Sequence, residues 1–308
     1  MKHAIWAHRG ASGTMPENTL ESFKKAAELG ADGVELDIQF TKDKQIVVCH
    51  DETVDRTSNG KGFVKDYTLE ELKQLDFSKT HPEAGTVRIP TMKEVFELLK
   101  PTDLMINIEL KTGELDYEGI EEAILQLTKE MGFEDRVIYS SFNHYSILRI
   151  QQLCPEAKTA FLYCDGIIDV VEYAKKYHVN ALHPAGYNIR FKDMVKDAHE
   201  AGMDVNVWTV NTKEQMLLCD AYGADAIITN YPELAREVFY GKESDDGQRL
   251  GKCSVLFSAL SAVLLFADAV RHGGPLYHRP VRGACQHHGG GRGLAGDAYA
   301  DGDAGGPC

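Results

Sequence analysis

Two short runs in this chain place carboxylates at every second position. In ADGVELDIQF, Val34, Leu36 and Ile38 alternate with Glu35 and Asp37. The two-residue period of a strand therefore puts both acids on one face. LMINIELK repeats the device, with Leu104, Ile106, Ile108 and Leu110 on one side and Asn107, Glu109 and Lys111 on the other. If helices cover the apolar side, the acids point into the interior, where isolated anions are costly to desolvate and a divalent cation removes that cost. Three carboxylates without a nearby cysteine form an all-oxygen donor set, which suits Mg²⁺ or Ca²⁺ better than Zn²⁺.

Two histidines end short extended segments. His8 shares a strand face with Ala4 and Trp6, and His50 follows the apolar run IVVC. Either alone reads as an ordinary core histidine. Beside three carboxylates they form an acid and base pair, one to activate an attacking oxygen and one to protonate a departing alcohol. Arg9, next to His8, has the shape for a pair of phosphate oxygens. Lys111 suits either a bridge to Glu109 or a phosphoryl oxygen. Asn18 and Glu21 have the spacing of a helix-capping pair. Trp208 shares a face with Asn206 and either packs in the interior or walls an alcohol group. His183 reads as structural. No G-x-G-x-x-G, Walker loop or G-x-S-x-G elbow supports a nucleotide or acyl-transfer reading.

These side chains need a scaffold of strand ends. Apolar runs near residues 4–8, 33–39, 104–110, 136–140, 158–163, 179–183, 204–208 and 225–229 alternate with helical patterns near 19–29, 117–131, 144–152, 167–177, 191–201, 212–222 and 231–239. Eight βα repeats in roughly 240 residues predict an α/β fold of the (β/α)8 TIM-barrel type. An open doubly wound sheet is the competing architecture. About 65 residues separate the second and third strands where a simple unit needs about 30. That excess is an insertion, holding QIVVCHD, the turn TSNGKG and the helical pieces TLEELKQL and TMKEVFELL. It emerges on the face where barrels carry their sites, so it is placed to cap one.

The character changes past residue 240. Fourteen of the 28 glycines fall in residues 241–308, which predicts a disordered, low-complexity tail after a single domain over 1–240. The 14-residue apolar run at 254–267 is short of the ~20 residues a membrane span needs, and an appendage is favoured over an interfacial anchor. Residues 241–308 hold seven basic and seven acidic groups, so the formal charge of −14 belongs to the preceding part. Such a field disfavours nucleic acid, whereas a small phosphodiester is admissible once a cation reverses the local sign. The seven cysteines form no C-x-x-C pair and read as reduced, mostly buried thiols of a cytoplasmic protein. MKHAIWAHRG shows no secretory signal.

Taken in order, HRG, PENT, VELDIQFTKD, VVCHD, IELK and VWTVN resemble the glycerophosphodiester phosphodiesterase family, and GADAIITNYP is similar to its final strand. The similarity covers residues 3 to about 238. It implies a (β/α)8 barrel that cleaves a glycerophosphodiester to sn-glycerol 3-phosphate and an alcohol. It also implies His8 and His50 as the acid and base pair, Glu35, Asp37 and Glu109 as ligands of a divalent cation, and Arg9 and Lys111 as phosphate contacts. Glu17 and Asn18 match the PENT motif, and the resemblance implies that they shape the site.

Overall fold

The computed structural model describes residues 3–191 and 193–241. Its strands are β1 (Ala4–His8), β2 (Gly33–Phe40), β3 (Ile46–Val48), β4 (Met105–Leu110), β5 (Val137–Ser141), β6 (Lys158–Tyr163), β7 (Ala181–Pro184), β8 (Asp204–Val207) and β9 (Ala226–Thr229). They hydrogen-bond in the order β1-β9-β8-β7-β6-β5-β4-β2-β3, and a further pairing of β1 with β2 closes the circle. Eight strands run parallel around the ring. The chain is therefore a closed TIM barrel rather than an open sheet.

Helices follow the strands as α1 (Leu20–Glu28), α2 (Leu69–Leu72), α3 (Met92–Leu99), α4 (Ile120–Met131), α5 (His144–Leu153), α6 (Val170–Lys176), α7 (Met194–Glu200), α8 (Lys213–Tyr222) and α9 (Pro232–Tyr240). The outward apolar faces of the strands and the inward stripes of the helices share one core, with Leu36, Ile38, Ile106, Ile108, Phe96 and Phe161 fully enclosed. Inside the ring a second set, Trp6, Ile138, Ala160, Ala181, Ala226 and Ile228, fills the floor.

The insertion divides into two parts. α3 lies beside α1 and α4 in the outer layer, and its Met92, Val95, Phe96 and Leu99 join the main core. It is thus the helix of the second βα unit. The extra structure precedes it: β3 turns back antiparallel on β2, pairing Ile38 with Val48 and Phe40 with Ile46. Val47, Cys49, Val54, Val64, Leu72, Phe77 and Ile89 give this segment its own small core. The extended segment ending at His50 was expected, but its antiparallel pairing with β2 was not, because a run this short carries no signal of its partner.

The expected cap at Asn18 and Glu21 is a second difference. Thr19 caps α1, accepting from the Ser22 amide at 3.2 Å, and Ser22 Oγ accepts from the Thr19 amide in return. Asn18 is thereby released for the site. Of the four described cysteines, Cys49 and Cys219 are buried, Cys154 is half-buried and Cys164 is exposed. The expectations for a disordered tail and for the apolar run at 254–267 lie outside the described residues. Among those described, no helix is long and apolar enough to cross a membrane.

Candidate active site

Strand register assembles the acids. His8 on β1 lies opposite Glu35 on β2, and Asp37 lies opposite Glu109 on β4. Neighbouring strands are about 4.8 Å apart, so side chains on the same face converge. One oxygen from each of Glu35, Asp37 and Glu109 falls within 4.8 Å of the others. All three residues are buried, and Oδ1 of Asp37 has no hydrogen-bond donor.

Burial and the neighbouring charges of Asp37 and Glu109 push the Glu35 carboxyl well above its ordinary range. Burial and Asp37 raise Glu109 likewise. Asp37 goes the other way. Burial opposes its ionisation, but the charges of Arg9, His50 and Lys111 together with the Asn18 hydrogen bond outweigh it and hold the carboxyl at about 2. Three converging acids of which two resist ionisation, with an anionic oxygen left undonated, are a donor set that fits a divalent cation.

Two histidines flank the triad. His8 Nε2 stands 3.8 Å from Glu35 Oε2, while Nδ1 lies 2.6 Å from Oδ1 of Asn230. An amide oxygen only accepts, so Nδ1 carries the proton and Nε2 presents its lone pair. Burial and the adjacent Arg9 hold the His8 imidazole at about 4. His50, on the β4 side, is held in the same manner: Nδ1 is 2.6 Å from Asp51 Oδ1 and Nε2 is 3.3 Å from Lys111 Nζ. Lys111 also donates to Glu109 Oε1 at 3.0 Å.

Arg9 comes from a tight turn. Its φ is 57° and that of Gly10 is 80°, a left-handed pair in which a Cβ at Gly10 would lie 2.3 Å from Ser22 Oγ. The HRG run therefore needs its glycine. The turn aims the Arg9 amide at Glu35 Oε2 (3.1 Å) and its guanidinium at Glu17 Oε1 (2.8 Å) and Asp37 Oδ2 (3.5 Å). Asn18, at φ 56°, donates to Asp37 Oδ2 at 2.8 Å. Nine of the ten residues that the sequence assigns to the site thus form one contiguous set. Trp208, the tenth, follows β8 across the mouth, donates from Nε1 to the His183 carbonyl at 2.8 Å, and meets the Phe142 ring edge-on at 5.5 Å.

Sequence reasoning missed three residues here. Asn230 orients His8 from 222 positions away, and the only hint was its place just past the last strand. Gln39 continues the alternation of Glu35 and Asp37, and its amide donates to the carbonyls of Cys49, His50 and Asp51, fixing the turn that carries His50. Arg56 joins Asp51 to Glu17 through the insertion.

A family model described as the glycerophosphoryl diester phosphodiesterase family matches residues 8–234, from His8 at the mouth to the last helix. The chain belongs to this family. A glycerophosphodiester phosphodiesterase of Caldanaerobacter subterraneus subsp. tengcongensis is 48% identical over 234 residues, covering 76% of this chain and 96% of the relative. One from Bacillus altitudinis is 41% identical over 240 residues, covering 76% and 97%. Among solved structures, an Oleispira antarctica phosphodiesterase in complex with the product sn-glycerol-3-phosphate aligns with a TM-score of 0.68 at 30% identity, covering 76% of this chain and 96% of that one. The protein is accordingly a phosphoric diester hydrolase of the glycerophosphodiester phosphodiesterase family.

Proposed function

We propose that the chain hydrolyses glycerophosphodiesters to sn-glycerol 3-phosphate and an alcohol in a metal-dependent reaction, with His8 and His50 as the proton-transfer pair. The observation that carries this reading is the shared tautomer. Each histidine gives its Nδ1 hydrogen to an oxygen acceptor, which leaves Nε2 of His8 3.8 Å from Glu35 on the β1 side and Nε2 of His50 3.3 Å from Lys111, itself bonded to Glu109, on the β4 side. A base and an acid on two sides of a phosphorus centre are what displacement at phosphorus requires. One Nε2 accepts the proton of the attacking hydroxyl as its oxygen bonds to phosphorus. The other, entering the step with a proton on Nε2 as well as on Nδ1, gives the Nε2 proton to the alcohol oxygen as the P–O bond breaks.

Glu35, Asp37 and Glu109 would hold one divalent cation, Mg²⁺ or Ca²⁺, which when bound neutralises phosphate charge and polarises a phosphoryl oxygen. Arg9 and Lys111, already at the edge of the triad, contact the remaining phosphate oxygens. Glu17 and Asn18 hold Arg9 and Asp37 in place. Trp208 walls the side away from the charges. The Oleispira relative, bound to sn-glycerol-3-phosphate, supports that product here. The catalytic unit is taken to be residues 1–240, and the free thiols of the four described cysteines suit a reducing cytoplasm.

The test is release of glycerol 3-phosphate from glycerophosphocholine, glycerophosphoethanolamine and glycerophosphoglycerol by the full chain. Turnover of at least one with this product is expected. Tight binding of all three without product would make the protein a metabolite binder.

A further inference from the structure

Arg56 stands outside the barrel, on the loop between β3 and α2, and makes four hydrogen bonds to two carboxylates. Nε and Nη2 reach Asp51 Oδ2 and Oδ1 at 2.7 and 2.9 Å. Nη1 and Nη2 reach Glu17 Oε2 and Oε1 at 2.6 and 2.8 Å. Each carboxylate is also tied to the site, since Asp51 Oδ1 holds His50 Nδ1 at 2.6 Å and Glu17 Oε1 holds Arg9 Nη1 at 2.8 Å. His50, Asp51, Arg56, Glu17 and Arg9 thus form one unbroken chain of contacts between the insertion and the β1 loop.

The loop that carries Arg56 is itself fixed. Val54 lies in the small core of the insertion, its amide donates to the Gly62 carbonyl at 3.0 Å, and its own carbonyl accepts from the Ser58 amide at 2.9 Å and from Ser58 Oγ at 2.7 Å. Asp51 and Arg56 lie on either side of this anchor. The hydrogen bonds from Arg56 are the main reason that the Asp51 carboxyl lies far below its ordinary range.

We propose that Arg56 is a positioning residue that aligns His50 and Arg9 with each other, so that a side chain of the insertion sets the distance between a proton-transfer group and a phosphate contact. The inference rests on the roles given to those two residues above. A guanidinium suits the task because its planar fork meets two carboxylates bidentately, which an ammonium cannot do. With its side chain 43% exposed, Arg56 contributes little to folding, so its loss is felt in alignment. The positive charge also separates Glu17 from Asp51, which would otherwise repel across the mouth.

The experiment compares Arg56→Ala and Arg56→Lys with wild type in the full chain, by kcat, KM and thermal midpoint, with guanidinium added at millimolar concentration. Arg56→Ala is expected to lower kcat by roughly 10- to 100-fold, with a thermal midpoint close to wild type. Arg56→Lys should recover little, and guanidinium should restore Arg56→Ala but not Asp51→Asn. Adding Arg56→Ala to His50→Ala should cost less than adding it to wild type, because one of the two aligned groups is already gone. Near wild-type kcat in Arg56→Ala overturns the inference if Arg9→Ala and His50→Ala are themselves impaired. If those two variants are fully active, the assigned roles fail and the inference falls with them. A large drop in thermal midpoint without guanidinium rescue would leave Arg56 as a merely structural ion pair. Should Arg56→Ala not fold, wild-type kcat in Arg56→Lys would equally overturn the alignment role.

Discussion

The two halves of the barrel are built from the same βα repeat and hold opposite kinds of side chain. On the inward faces of β1, β2 and β4 stand His8, Glu35, Asp37, Asn107, Glu109 and the adjoining Lys111. Across the ring, β6 and β7 present Ala160 and Ala181, β9 beside β1 presents Ala226 and Ile228, and the mouth beyond β8 ends in Trp208 against Phe142. Burial of Glu35, Asp37 and Glu109 keeps water and its screening away from them, so each electrostatic contact there is stronger than it would be in solvent. The asymmetry lies in side chains alone.

The largest expected effect comes from removing the proton-transfer pair in the charged half. His8→Ala and His50→Ala should each lower kcat by roughly 10²- to 10⁴-fold, with the fold intact by circular dichroism. The double variant should be far less than multiplicatively worse. A single variant that keeps wild-type turnover would return that histidine to the core and break the comparison.

The apolar half encloses a titratable group of its own, His183, fully buried with Asn206 Nδ2 at 3.0 Å from Nε2 and no partner at Nδ1. Burial lowers its pKa from 6.5 to about 3. Between these values the unfolded chain binds a proton that the folded chain does not. Stability from this group is therefore fully present above 6.5 and is lost as pH falls toward 3, by something on the order of a few kcal/mol. Thermal midpoints of wild type and His183→Gln, taken from pH 7 to pH 4, should converge as the pH falls. Parallel curves would mean that His183 takes up its proton as readily in the fold as in the unfolded chain, and that the half is more polar than it looks.

A smaller effect is expected at the rim. Trp208→Phe keeps the ring against Phe142 but loses the bond to the His183 carbonyl, a change of about 1 kcal/mol. KM should rise several-fold with kcat nearly unchanged. A fall in kcat at constant KM would move Trp208 into the machinery of the charged half.

What could be read in the sequence follows the same division. Glu35, Asp37 and Glu109 were legible because strand alternation is local, and each acid announces its face through its immediate neighbours. The barrel was legible from eight such runs. Asp51, which orients His50, is its neighbour in the chain, but the partner that orients His8 and the residue that bridges Asp51 to Glu17 were not legible. Asn230 reaches His8 only because β9 closes against β1, and Arg56 reaches Glu17 only because the insertion folds back through the β2–β3 hairpin. Contacts of that kind depend on closure, and no window of sequence contains them. The cap at Thr19 rather than Asn18 teaches the same on a small scale: both residues have capping chemistry, and the pull of Asp37 on Asn18 decides between them.

Activity and stability should both depend on the cation site that the three carboxylates form. The direct measurement takes chelated protein and follows glycerophosphodiester turnover and thermal midpoint as Mg²⁺ or Ca²⁺ is added, beside Glu35→Gln, Asp37→Asn and Glu109→Gln. Turnover is expected to be lost on chelation and restored by the cation. The midpoint should rise with cation concentration through binding to the folded state, and each amide variant should weaken both responses. Full turnover in chelated, metal-free protein, with the three variants equally active, would contradict a catalytic cation at this site.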